Sequence, residues 1–224
     1  MSDSITAPAE DYLKAIYDIE RGGEAAATND IAARLGIAAA SVSGMIRRLA
    51  DQGLIKHERY KGTRLTAAGR KAALRTIRRH RVIEAYLARA LGYPWDRVHE
   101  EAERLEHAAS DELVDRMARA IGEPNIDPHG APIPTREGDV DETPLRTLLD
   151  LRPGQRCRIV SVADEDADLL RYVAKLGLRP GAEVEIVERA PFDGPISLRV
   201  APDATPVQIG ARLAGLMHVA PIAD

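Results

Sequence analysis

The side chains with most chemistry to offer lie between His80 and His107. This stretch of 28 residues holds three of the six histidines in a chain of 224. It opens His80-Arg81-Val82-Ile83-Glu84 and closes His99-Glu100-Glu101-Ala102-Glu103-Arg104-Leu105-Glu106-His107. On a helix His80 and Glu84 stand one turn apart. His99, Glu103 and His107 form a second i, i+4, i+8 row, with Glu106 beside it. Imidazole and carboxylate donors on two helices make a ligand set for a divalent metal. The competing reading is two solvated, charge-rich helices with incidental histidines. One His/Glu pair alone would favour that reading, and two rows facing the same way weigh against it.

These rows need helices to carry them, and the pattern supplies several. A first helix is expected over Pro8–Arg21, with Pro8 in its first turn and Gly22-Gly23 ending it. Asp11 sits in that first turn, where a negative charge also suits the helix N-terminus. Thr28-Asn29-Asp30 starts a second helix through Leu35, stopped by Gly36. A third follows over Ala40–Gln52, with small and hydroxyl residues in its first turns. Two short helices joined by a glycine-containing turn are the helix-turn-helix pattern. Leu54–Tyr60 and Thr63–Thr66 read as strands around Lys61-Gly62, a wing with a basic tip. A long helix, capped by Thr66, runs to Gly92. Two more are expected, from Pro94-Trp95-Asp96 to Ala108-Ala109 and from Ser110 to Gly122. Arg136–Pro144 reads as a polar linker. Beyond it, strands at 156–162, 183–188, 196–200 and 218–220, with short elements between, predict a small β-barrel. The fold class is mainly α with a small β domain, divided as 1–75, 76–140 and 145–224.

Charge is distributed to match. Residues 41–81 hold 12 Lys and Arg against 2 Asp and Glu, and residues 82–142 hold 6 against 15. The basic block implies a polyanion partner, and phosphate neutralisation would supply most of the affinity for DNA. Ala40, Ser41, Ser43 and Gly44 let backbone approach base edges. Arg47, Arg48, Lys61 and Arg64 are placed to meet phosphate. A winged helix that binds protein instead of DNA is the alternative. The lone Cys157 excludes an internal disulfide and a cysteine zinc site, and it fits a reducing cytoplasm. No segment reads as a signal peptide or as a membrane span.

In this order the parts resemble the diphtheria-toxin-repressor family of metal-dependent transcriptional regulators. The matching stretches include Glu10-Asp11-Tyr12-Leu13-Lys14-Ala15-Ile16-Tyr17, Leu65-Thr66-Ala67-Ala68-Gly69, Arg79-His80-Arg81, Glu106-His107-Ala108-Ala109-Ser110-Asp111-Glu112 and Pro128-His129-Gly130-Ala131-Pro132-Ile133-Pro134. Leu176-Gly177-Leu178-Arg179-Pro180-Gly181-Ala182-Glu183-Val184 looks like the SH3-like domain that ends the longer members. The resemblance implies a homodimeric repressor that binds operator DNA, with no membrane and no small organic substrate as partner. It implies a primary metal set of Asp11, Glu103, Glu106 and His107. It implies an ancillary set of His80, Glu84 and His99 with a ligand from the third domain, for which Glu165 and Asp168 have suitable spacing.

The iron-responsive branch has methionine and cysteine where this chain has Asp11 and Glu103. Two carboxylates resemble the manganese-responsive branch, and hard oxygen donors suit Mn²⁺. Fe²⁺ is the alternative, and Co²⁺, Zn²⁺ or Cd²⁺ can substitute because raw affinity follows the Irving–Williams order. Lys14 departs from short manganese regulators that have glutamate there, which favours two separated sites over a closely spaced pair. A metal hydrolase is the first rival, but the chain lacks His-Glu-x-x-His and its ligand set looks filled by protein. A metal-independent winged-helix regulator is the second, and it leaves Asp11 and Glu103-x-x-Glu106-His107 unexplained.

Overall fold

The computed structural model describes residues 5–58, 60–163, 166–192, 194–202 and 205–222. It forms two compact units, and the chain passes between them several times. The first comprises Met1–His80, Glu106–Ala109 and Pro134–Glu142. The second comprises Arg81–Leu105, Ser110–Ile133 and Thr143–Asp224.

The first unit is a winged helix-turn-helix. Helices α1 (Ala7–Glu20), α2 (Thr28–Leu35) and α3 (Ala39–Asp51) precede the antiparallel wing strands β1 (Ile55–Glu58) and β2 (Gly62–Leu65). Helix α4 (Ala67–Leu91) follows, and its residues up to His80 belong here. Apolar positions at helical spacing build one core, in which Leu13, Ile16, Ile31, Val42, Ile46, Leu49, Leu74 and Ile77 are buried. Gly36 ends α2 in the left-handed region at φ +64°, a conformation that costs glycine little. Thr66 caps α4 as expected, its Oγ1 accepting from Gly69 N–H at 3.1 Å.

Residues 134–142, which overlap the linker expected over 136–144, are a strap on this unit. Val140 packs against the core. Glu142 accepts from Tyr17 Oη at 2.5 Å and pairs with Arg70 at 2.5 Å, while the Arg70 guanidinium lies 5.2 Å from the Tyr17 ring centroid. Burial and the Glu142 bond push Tyr17 up to about 12. Burial opposes ionisation of Glu142, but its bonds to Tyr17 and Arg70 hold its pKa below the usual carboxylate value.

The second unit joins the rest of α4, helices α5 (Val98–Leu105) and α6 (Asp111–Ala120), and an SH3-like β domain. In that domain the antiparallel strands β3 (Arg146–Thr147), β4 (Arg156–Val162), β5 (Glu183–Arg189), β6 (Ile196–Val200), β7 (Val207–Ile209) and β8 (Met217–Pro221) run in the order β3-β8-β4-β5-β6-β7. Helix α7 (Ala167–Lys175) joins β4 to β5, and α8 (Ala211–Gly215) joins β7 to β8. Alternate strand residues such as Ile159, Val184, Ile186, Leu198 and Val219 form its core with Leu170 and Val173 of α7. Cys157 is buried there, and burial pushes its thiol up to about 11.

Helix α5 is shorter at both ends than its sequence predicts. The Trp95 carbonyl, which a longer helix would spend on a backbone N–H, instead accepts from His129 Nε2 at 2.7 Å. At the other end the helix stops at Leu105, so Glu106 and His107 lie in the following turn, in the other unit. The expected i, i+8 row from His99 to His107 is therefore broken.

Candidate metal centre

In the first unit, Asp11, Glu106 and His107 each present one ligand atom, and these atoms lie within 4.8 Å of one another. Asp11 comes from the first turns of α1, where Tyr12, Leu13, Ile16 and Tyr17 bury the opposite face. His107 Nε2 is 2.8 Å from Asp11 Oδ1 and 3.5 Å from Glu106 Oε1, and its Nδ1 is 2.7 Å from Glu10 Oε2. Glu10 is in turn held by Arg79 Nη1 at 3.2 Å. This is the arrangement by which a carboxylate fixes the tautomer of a metal-binding imidazole: Nδ1–H donates to Glu10, and Nε2 faces the other two ligands.

Charge in this cluster is dense. The Glu106 side chain is fully buried, whereas those of His107 and Asp11 are 21% and 40% exposed. Lys14 Nζ lies 3.2 and 3.3 Å from the two Glu106 oxygens and 3.4 Å from His80 Nδ1, and His80 Nδ1 is 2.5 Å from Glu106 Oε2. Burial disfavours the charged form of His107. The bond to Glu10 and the fields of Asp11, Glu106 and Glu10 outweigh it, so the net shift of its pKa is upward. Two carboxylate oxygens and the Nε2 of His107 suit a divalent cation, which would displace any proton held on that nitrogen.

In the second unit, His99 Nδ1 lies 3.3 Å from Glu84 Oε1, and His99 Nε2 lies 3.9 Å from Glu103 Oε1. Glu103 remains on α5 beside His99, and three of the four residues named for the primary set come together in the first unit. Likewise His80 belongs to the first unit, and Glu84 and His99 to the second. Asp168, in the first turn of α7, is exposed and paired with Arg171, which also reaches Asp96 at 3.0 Å. Glu165 lies outside the described residues. A further group in this unit, Glu84, Asp127 and His129, is wholly buried.

The residues expected to meet DNA are exposed on the first unit. Ala40, Ser41, Ser43, Gly44, Arg47 and Arg48 are exposed along α3, while Val42, Ile46 and Leu49 face the core. Lys61 and Arg64 are exposed on the wing, Lys61 paired with Glu58 at 2.7 Å.

Sequence reading gave no site role to four residues of these clusters. Glu10 was overlooked because its neighbour Asp11 was the ligand candidate and its partner His107 is 97 residues away. Arg79 entered only as basic charge and as part of the stretch Arg79-His80-Arg81. Asp127 and His129 sit in a Pro- and Gly-rich stretch that reads as irregular chain, and the adjacency Asp127-Pro128-His129-Gly130 was the available signal.

Three family models match successive parts of the chain. Residues 4–63 match the model "Iron dependent repressor, N-terminal DNA binding domain". Residues 66–135 match "Iron dependent repressor, metal binding and dimerisation domain", and residues 146–221 match "FeoA domain". The chain is 32% identical over 197 residues to the iron-dependent repressor IdeR of Mycobacterium tuberculosis (strain ATCC 25618 / H37Rv), covering 83% of this chain and 85% of that one. It is 31% identical over 199 residues to the diphtheria toxin repressor of Corynebacterium diphtheriae, covering 84% and 87%. Among solved structures, a manganese-dependent transcriptional repressor in complex with manganese matches with TM-score 0.88 and 38% identity, over 96% of this chain and all of that one. The ScaR structure with bound Zn²⁺ matches with TM-score 0.83 and 30% identity, over 96% and 99%.

Proposed function

The chain belongs to the diphtheria toxin repressor family of metal-dependent transcriptional repressors, and from that premise we propose that it is a manganese-responsive regulator of metal-uptake genes. The observation that carries this reading is the convergence of Asp11, Glu106 and His107 in the unit that bears the recognition helix. Glu103, three residues before Glu106, is the fourth ligand of the primary set in this reading. His80, Glu84 and His99 form the ancillary set, with Glu165 or Asp168 as the third-domain donor. Asp11 and Glu103 put carboxylates where the iron-responsive branch has softer sulfur donors, which supports Mn²⁺. The iron-responsive alternative is favoured by the iron-dependent repressors among the relatives.

A bound divalent cation supplies the positive charge that lets Asp11 and Glu106 share a site with a deprotonated His107. Glu10 holds the imidazole with Nε2 facing that charge. Lys14 neutralises Glu106 on its other side, which favours one cation here and a separate second site. Glu106 and His107 lie in the connection between α5 and α6, so ligation ties that connection to α1. In a dimer this selects the spacing of the two α3 helices, which must match successive major grooves ~34 Å apart. Exposed Leu91, Leu105 and Leu113 offer apolar area for homodimerisation.

The test is operator binding by metal-stripped protein, titrated with Mn²⁺ and, anaerobically, with Fe²⁺, on DNA upstream of its own gene and of neighbouring metal transporters. Tight binding that appears with Mn²⁺ and vanishes with chelator supports the reading. Equal or stronger activation by Fe²⁺ removes the manganese assignment, and binding indifferent to every metal removes the switch.

A further inference from the structure

Glu84, Asp127 and His129 enter the reading above only through Glu84, yet they form the most enclosed polar group in the second unit. Their residue exposures are 0%, 3% and 1%, and their ligand atoms lie within 4.8 Å of one another. The loop that carries two of them is held from several directions. Asp127 Oδ1 accepts from the N–H groups of His129 at 2.8 Å and Ala131 at 2.9 Å. The His129 carbonyl accepts from Val162 N–H of β4 at 3.0 Å. Gly130 takes φ +89°, and a Cβ there would come within 1.9 Å of the Val160 carbonyl oxygen. The imidazole of His129 is thus fixed in the interior.

Its hydrogen bonding sets its chemistry. Nε2 lies 2.7 Å from the Trp95 carbonyl. A carbonyl only accepts, so Nε2 carries the proton, and in the neutral ring Nδ1 is a lone pair. That nitrogen faces Glu84 Oε1 at 3.8 Å, too long for a hydrogen bond. Asp127 Oδ2 lies 3.6 Å from Arg81 Nε. Two carboxylates and a nitrogen lone pair thus converge in the interior, and a cation shared among them suits that donor set. Two oxygens and one nitrogen suit a first-row divalent cation, from Mn²⁺ to Zn²⁺.

We propose that Glu84, Asp127 and His129 form an interior divalent-cation site, distinct from the Asp11 set, that ties α4 to the loop following α6. It shares Glu84 with the ancillary set of the reading above and draws its other donors from the second unit alone. Trp95 provides the probe. It is the only tryptophan of the chain, and its ring centroid is 5.6 Å from that of His129.

The experiment titrates the full-length, metal-stripped chain with Co²⁺, following Trp95 fluorescence and Co²⁺ bound per chain by equilibrium dialysis. His129→Gln retains a side-chain donor for the Trp95 carbonyl, and Asp127→Asn retains the oxygen that accepts from His129 and Ala131. His99→Ala removes a ligand of the ancillary set only. We expect stoichiometric quenching in the unmodified chain and in His99→Ala. His129→Gln and Asp127→Asn should each lose the quenching and bind that equivalent at least ~10-fold more weakly. Unquenched Trp95 in the unmodified chain overturns the proposal, as does quenching lost in His99→Ala but kept in His129→Gln. Should His129→Gln fail to fold, the unmodified chain and His99→Ala decide alone: quenching in both supports the site, and its loss in His99→Ala overturns it. None of these outcomes touches the Asp11 reading, which stands or falls on metal-dependent DNA binding.

Discussion

Two clusters of histidine and carboxylate are built here by opposite means. Around His107 the groups come from three separated stretches of chain, reach partial solvent and are balanced by Lys14 and Arg79. Around His129 they come from α4 and one tight loop, are sealed from solvent and are fixed by backbone hydrogen bonds. The first is partly open to solvent and joins distant stretches of chain, as the proposed switch requires. The second is rigid, which suits a structural element. The same residue types thus serve different ends according to how the surrounding chain holds them.

The largest effect that would break this contrast is at Asp11. Asp11→Ala should reduce metal-dependent operator affinity by about 100-fold while leaving the circular dichroism spectrum unchanged. Unaltered affinity in a gel-shift titration would remove the His107 cluster from the switch. Next comes Gly130→Ala, which places a Cβ against the Val160 carbonyl at a positive φ. Destabilisation of roughly 3 kcal/mol is expected in denaturant unfolding.

Glu10→Gln sharpens the comparison by loosening His107 alone. Divalent-metal affinity should fall roughly 10- to 100-fold by calorimetry. In metal-stripped protein the raised His107 pKa means that protonation stabilises the fold. That contribution is complete below the unfolded value of 6.5 and is lost as pH rises through the folded value. The variant should lower the His107 pKa, as read from its ring protons by NMR, and a titration curve that does not move would refute the role given to Glu10. The smallest effect is Glu142→Gln on the strap, a loss of about 1 kcal/mol. Glu142 has a depressed pKa, so its contribution is present above the ordinary carboxylate value and is lost as pH falls through the folded one. Tyr17 works in the other direction, contributing below pH 10.0 and losing that contribution as pH rises towards about 12. Ultraviolet titration of Tyr17 in the variant should show a lower pKa.

Much of the fold could be read in the sequence because local rules agree with tertiary packing. The cores of α1 and α3 follow from apolar spacing, and glycines mark the ends of α2 and α3. The places where reading failed are those where a distant partner overrides a local preference. Leu105 ends α5 although Glu106-His107-Ala108-Ala109 continues a helical pattern, because Glu106 is buried against Lys14 and His80. Residues 136–144 are polar and read as a linker, yet Val140 and Glu142 find their partners on α1 and α4. Of the candidate site, Asp11, Glu106 and His107 were visible through a resemblance anchored in their own residues. Glu10 and Arg79 were not, because nothing local distinguishes a charged helix position that faces a ligand from one that faces water.

The first unit draws on three separate stretches of chain, so its boundary crosses the chain five times, between residues 80/81, 105/106, 109/110, 133/134 and 142/143. The winged helix is therefore not a cassette. A fragment ending at the wing or early in α4 lacks Glu106, His107, Val140 and Glu142, and with them part of its core cover and most of its candidate site. Exchange of DNA-binding specificity with another regulator by recombination at a single junction would sever these returns. Such a graft needs the α5–α6 turn and the strap to travel with the recognition helix.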